Sequence, residues 1–183
     1  MTLTARLLFG WLLLFPAVSA GAGFEVVRAE VVLANDVYAV DAQFNYEFSP
    51  EALEALSNGV YLTVAVEIEM RRGRRFMWDK LVERSTRKFR LQRHELSGQY
   101  IVTDTSADTS RNHPSLEDAL EALGHPPAMP VIRRDKLPAD GATYLRVRTR
   151  LDSDPLPAPL KPIAFFKRGW RLSSRWYRIE MPP

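Results

Sequence analysis

Glu67 and Glu69 lie two residues apart in a stretch that alternates apolar and polar residues, which puts both carboxylates on one face of a strand. Paired carboxylates can carry out general acid–base chemistry in a cleft. They can equally face arginines on a neighbouring strand. Arg146, Arg148 and Arg150 share one face of a second alternating stretch and supply such a partner. Nothing else in the sequence builds a sugar cleft. The reading adopted is therefore a carboxylate–guanidinium ladder, with a glycan hydrolase acting through Glu67 or Glu69 as the alternative.

A second cluster is Arg71-Arg72-Gly73-Arg74-Arg75, followed by Phe76, Met77 and Trp78. Four guanidiniums around one glycine read as a hairpin tip projecting into solvent. Arginine beside exposed aromatics is the composition of a contact surface, so Arg71, Arg72, Arg74, Arg75 and Trp78 are the candidate binding residues. The competing reading is a soluble turn whose charges block edge pairing.

Other chemistries find little support. The histidines are His94, His113 and His125, and none has the close spacing that sets two ligands on one face. There is no cysteine. The aspartates of 104–108, and Asp152 with Asp154, lack the glycine and terminal glutamate of a calcium loop and read as turn caps. No Gly-x-Ser-x-Gly motif and no phosphate loop occurs. No cofactor and no metal are expected, and catalysis is not expected.

The elements that must position these residues are mostly strands. Residues 1–22 read as a secretory signal: Arg6, an apolar run over 7–18, Pro16, then small residues around Ala20 and Ala22. That run is shorter than the roughly 18 residues of a membrane span. Cleavage near residue 21 or 23, or retention as an anchor, are the two outcomes. Residues 23–183 are expected to form one domain, long enough for a core without disulfides. Alternation marks strands over 24–33, 37–48, 60–72, 76–102 with a break near 83–87, 143–151, 163–166 and 170–181. Asn35-Asp36 and Asp140-Gly141 mark turns. Residues 104–112 read as an exposed loop, and 125–130 and 154–162 as proline-rich connections.

Two short helices interrupt the strands. Ser49, Pro50 and Glu51 start one that Gly59 ends, and Ser115 with Asp118 starts another that Gly124 ends. Trp170, Trp176 and Tyr177 are expected in the core. The fold class is mainly β: an antiparallel, immunoglobulin-like β-sandwich with two short helices.

Several features in order resemble one known family: Phe44-Asn45-Tyr46-Glu47-Phe48-Ser49-Pro50-Glu51, then Val66-Glu67-Ile68-Glu69-Met70-Arg71-Arg72, Phe76-Met77-Trp78-Asp79, and the hairpin from Arg93 to Tyr100. The helix from Ser115 to Leu123 and a terminal Leu172-Ser173-Ser174-Arg175-Trp176-Tyr177 complete the set. Together they resemble an exported bacterial family, domain of unknown function 4390, described as proline-rich signal-peptide proteins. The resemblance implies no activity, cofactor or catalytic residue. Its members are often encoded beside a membrane sensor kinase, which implies a partner.

The formal net charge is +3. An exported basic protein meets anionic lipid, acidic glycan or acidic protein rather than nucleic acid. The expectation is an interaction module in the periplasm or cell envelope, with a protein partner, a sensor kinase being the candidate, and with peripheral membrane contact as a further option. The alternatives are the glycan hydrolase and a carrier of a small ligand between its sheets.

Overall fold

The computed structural model describes residues 22–74, 77–137, 142–153 and 168–181. The expected signal region up to residue 21, Arg75, Phe76, the Asp140-Gly141 turn, the proline-rich stretch 154–162 and the strand expected over 163–166 lie outside the described residues.

The chain opens with a long hairpin of β1 (Gly23–Ala34) and β2 (Val37–Glu47). Asn35 and Asp36 have φ of 50° and 58°, and Ala34 pairs with Val37 across them. This is the two-residue turn whose twist matches that of paired strands. A β-branched residue is a poor fit to positive φ. Asp36→Val should therefore cost about 1–2 kcal/mol, read as a lower midpoint in urea with an unchanged slope.

One face of β2 buries Val40, Ala42, Phe44 and Tyr46, as its alternation requires. Phe24 of β1 meets Tyr46 edge-to-face at 4.9 Å and Phe48 at 5.2 Å. The helix α1 (Pro50–Ser57) follows, with the Ser49 hydroxyl accepting the Ala52 amide at 3.2 Å. Gly59, at φ 82°, turns the chain out of it.

Then come β3 (Leu62–Arg72), β4 (Lys80–Arg93), β5 (Tyr100–Asp104) and β6 (Thr109–His113), and α2 (Leu116–Gly124) capped by Ser115. β7 (Met129–Arg133), β8 (Thr143–Asp152) and β9 (Tyr177–Glu180) complete the described elements. The strands form two antiparallel sheets, ordered β1-β2-β7 and β6-β5-β4-β3-β8-β9. They pack as the expected sandwich. Val64, Val66, Ile68 and Met70 of β3 and Leu145 and Val147 of β8 meet the inner residues of β1 and β2. Tyr46 and Thr149 join the two sheets through a buried hydroxyl pair at 3.2 Å, and burial pushes the Tyr46 hydroxyl pKa up.

Three expectations need correction. Residues 104–112 form the β5–β6 hairpin rather than an exposed loop. β6 is an edge strand whose residues are almost all exposed, so it carries no apolar alternation. Asp104 Oδ1 accepts the Ser106 and Ala107 amides within the turn, as its capping role requires.

The proline-rich stretch before residue 130 runs straight into a strand. Pro130 lies on the outer strand β7 where the register shifts, a place where a missing N–H is tolerated. The last expected strand is broken. Ser173 makes one bridge to Arg150, and regular pairing resumes at Tyr177. Among the described residues, no helix is long and apolar enough to cross a membrane.

Candidate functional site: a guanidinium–carboxylate sheet face

The outer face of the large sheet is built by register. β3 is a central strand between β4 and β8. Glu69 lies opposite Arg84 on one side and Arg146 on the other. Glu67 lies opposite Arg148 on β8. Because side chains alternate across a strand, Arg71, Glu69, Glu67, Ala65 and Thr63 all reach this same face.

The expected ladder is present and more extensive than expected. Glu69 Oε2 accepts Arg71 Nε at 2.9 Å and Arg146 Nη2 at 2.6 Å, while Oε1 accepts Arg84 Nη2 at 2.5 Å. Glu67 Oε2 accepts Arg148 Nη2 at 2.7 Å, and Oε1 accepts Arg150 Nε at 2.8 Å. Arg150 also reaches Asp152 Oδ1 at 3.2 Å, and Lys88 reaches Asp152 Oδ2 at 2.7 Å. Trp176 covers the ladder, its ring 4.1 Å from the Arg146 guanidinium and 4.5 Å from that of Arg148.

The face is not the solvated surface that alternating polar residues imply. Glu69 is 1 % exposed and Ala65 fully buried. Arginine side chains from β4 and β8 reach across β3 to its carboxylates and cover them. Burial alone would raise the Glu69 carboxyl. The three guanidinium hydrogen bonds outweigh it and bring the pKa down to about 2. Glu67 shows the same opposition, with Arg150 and Arg148 holding it below its usual value.

This geometry fits the hydrolase alternative poorly. Glycoside hydrolysis needs one carboxyl kept protonated as the acid. Both carboxylates here have guanidiniums on both oxygens. Ser85-Thr86-Arg87-Lys88 has the Ser-x-x-Lys spacing of a serine nucleophile beside a lysine. On strand β4 those two residues fall on opposite faces, and Lys88 binds Asp152. Among the described residues, no group of three or more candidate ligands could hold a metal. The larger grooves lie at the rims. One of about 540 Å³ runs between Glu25, Asn45, Glu47 and Trp176. Another of about 750 Å³ runs between Val27, Asn45 and α2.

The net charge of this face is its main property. In the ladder, Arg71, Arg84, Lys88, Arg146, Arg148 and Arg150 surround Glu67, Glu69 and Asp152. The ladder therefore carries a surplus of three positive charges.

The hairpin tip differs from its expected form. Arg71 does not project: its side chain is 24 % exposed and bound to Glu69, and it belongs to the ladder. The alternation already placed Arg71 on the Glu69 face, and a strand that continues to Arg72 keeps it there. Arg74 is exposed, Arg72 half-buried, and Arg75 lies outside the described residues. Met77 and Trp78 are 68 % and 95 % exposed. Of the terminal aromatics, Trp170 is buried as expected. Trp176 lies on the ladder instead, and Tyr177 is 38 % exposed.

Arg84, Lys88 and Asp152 belong to the ladder and were not paired with it from the sequence. For Arg84 and Lys88 the signal was the β3–β4 register, which a bulge at Val82 shifts by one residue, and for Asp152 the β3–β8 register, which sets it opposite Thr63.

Fold and face together define a class: a two-sheet antiparallel sandwich whose large sheet presents a surplus of guanidiniums over buried carboxylates. The chain belongs to the family described as Domain of unknown function (DUF4390), whose model matches residues 21–180. No curated protein and no solved structure matches it.

Proposed function

We propose that this protein is a non-catalytic interaction module of the cell envelope, exported by its N-terminal segment, and that it modulates a membrane sensor kinase. The observation that carries this reading is the surplus of three cations over carboxylates in the ladder on one sheet face. Its carboxylates are held ionised and occupied, which suits them to orienting guanidiniums rather than to proton transfer. Such a face favours an acidic protein surface, accelerating encounter more than adding affinity. The kinase is the partner that the family resemblance implies. Arg74, exposed at the hairpin, adds a cation at one end of this basic surface.

The test is co-purification with the kinase from detergent-solubilised envelope, together with mass spectrometry of the N-terminus. A chain starting near residue 21 or 23 is expected, with the kinase bound at low salt and released as salt rises. Arg178 of β9 lies opposite Arg146, and Arg84→Ser/Arg178→Ser, which removes two cations more than half exposed, should weaken capture. The domain should remain folded, because both guanidiniums are more than half exposed. A chain still beginning at Met1 would refute processing. Capture indifferent to salt and to this variant would refute the sheet face as the docking surface.

A further inference from the structure

Among the described residues seven large hydrophobic side chains are exposed, and three of them, Met77, Trp78 and Leu81, lie within five residues at one end of the basic face. The tip joining β3 to β4 presents Met77 and Trp78, and Leu81 stands opposite Arg71 on the outer face. Exposing a tryptophan at 95 % wastes the most apolar area a single side chain can bury.

The cations sit around this apolar point. Arg74 and Lys80 are exposed beside it, and the Arg84 side chain is 57 % exposed one step further along β4. The acid at the tip is turned inward. Asp79 accepts the Tyr144 hydroxyl at 2.6 Å and the Arg74 backbone N–H. Around the apolar point three cations, Arg74, Lys80 and Arg84, outnumber two carboxylates, Asp79 turned to Tyr144 and the exposed Glu83.

We infer that the β3–β4 tip is a membrane-interface anchor: Trp78 and Met77 enter the headgroup region of an anionic phospholipid bilayer while Arg74, Lys80 and Arg84 meet the phosphates. Size separates a bilayer from a protein as the occupant. A stable protein interface takes about 800 Å² from each partner, far more than three side chains on a narrow turn can provide. A bilayer needs no matching surface. It accepts an amphipathic indole at its interface and adds about 1 kcal/mol for each cation near anionic lipid. Weak membrane anchors become stable when two such signals act together, and this tip combines them. The inference is independent of the protein partner proposed above and would hold the basic sheet face close to a membrane-embedded protein.

The test is vesicle sedimentation with the full chain. Wild type and variants differ only at the tip, so any contribution of the N-terminal apolar run cancels. Wild type should bind phosphatidylcholine vesicles containing phosphatidylglycerol and bind pure phosphatidylcholine far less. Met77→Ser/Trp78→Ser should lower binding about tenfold or more with an unchanged melting temperature, since neither side chain is buried. Trp78→Phe should retain binding while losing most of the fluorescence quenching by brominated phosphatidylglycerol. Equal binding by wild type and the double variant would overturn the anchor, as would wild type that stays in the supernatant at low salt. A double variant that keeps vesicle binding but loses the kinase in detergent would reassign the tip to a protein and also overturn it.

Discussion

Glu69→Gln should lower the melting temperature by about 10 °C at neutral pH, the largest effect expected of any change on the outer sheet face. The carboxylate is 1 % exposed and holds three guanidiniums from three strands. Removing one member of a buried ionic cluster leaves the others uncompensated and costs about 3–5 kcal/mol. For a domain of this size each kcal/mol is worth about 2–4 °C. Glu67→Gln should cost less, because Glu67 binds two guanidiniums and its side chain is 13 % exposed.

The same carboxylate gives the effect a pH signature. Its pKa is about 2 in the folded protein against 4.5 ordinarily. A carboxyl depressed on folding adds stability that is complete above the unfolded value and is lost as pH falls through the folded one. About 3 kcal/mol should therefore disappear between about pH 5 and pH 2. Glutamine cannot titrate, so the gap between wild type and Glu69→Gln should close over that window. A gap that stays constant down to pH 2 would show that the three guanidiniums do not hold this carboxylate ionised.

Gly124→Ala should cost about 2–3 kcal/mol, an unusually large effect for a methyl group at a helix end. A Cβ at Gly124 would lie 2.6 Å from the carbonyl oxygen of Phe44. That oxygen belongs to β2, which at Phe44 is paired with Val26 of β1 and lies beneath the helix. Helix α2 would have to lift, loosening Ala119 and Leu123, which it buries in the core. Thermal denaturation should show a drop of about 5–10 °C, whereas Glu121→Ala, one turn earlier and exposed, should change it little. A Gly124→Ala protein as stable as wild type would mean that α2 does not pack this closely on β2.

The alternation of β2 and β3 gave the sandwich because a two-residue period admits one way of burying Val40, Ala42, Phe44 and Tyr46 against Val64, Val66, Ile68 and Met70. The caps at Ser49 and Ser115 needed no tertiary context either, since a hydroxyl meets its own helix start. The ladder was legible for Glu67 and Glu69 with Arg146, Arg148 and Arg150, because charge and period coincide on both strands. β6 and β7 were not legible. An exposed edge strand has no apolar face, and a proline masks a strand whose missing N–H costs nothing at an edge. Ser-x-x-Lys at Ser85 shows the converse, a spacing that is chemical on a helix and inert on a strand.

The sequence by itself thus determined the strands with an apolar alternation, the caps and the complementary charges of Glu67, Glu69 and the β8 arginines, all of which depend on neighbours along the chain. Tertiary structure alone decided that Arg84 and Lys88 join the ladder, and that Trp176 lies over it. Those contacts cross from one strand to another. Their register depends on the Val82 bulge and on β3 being central, and its central place lets the flanking side chains cover Glu69 and exclude water from a carboxylate that the alternation alone would leave in solvent.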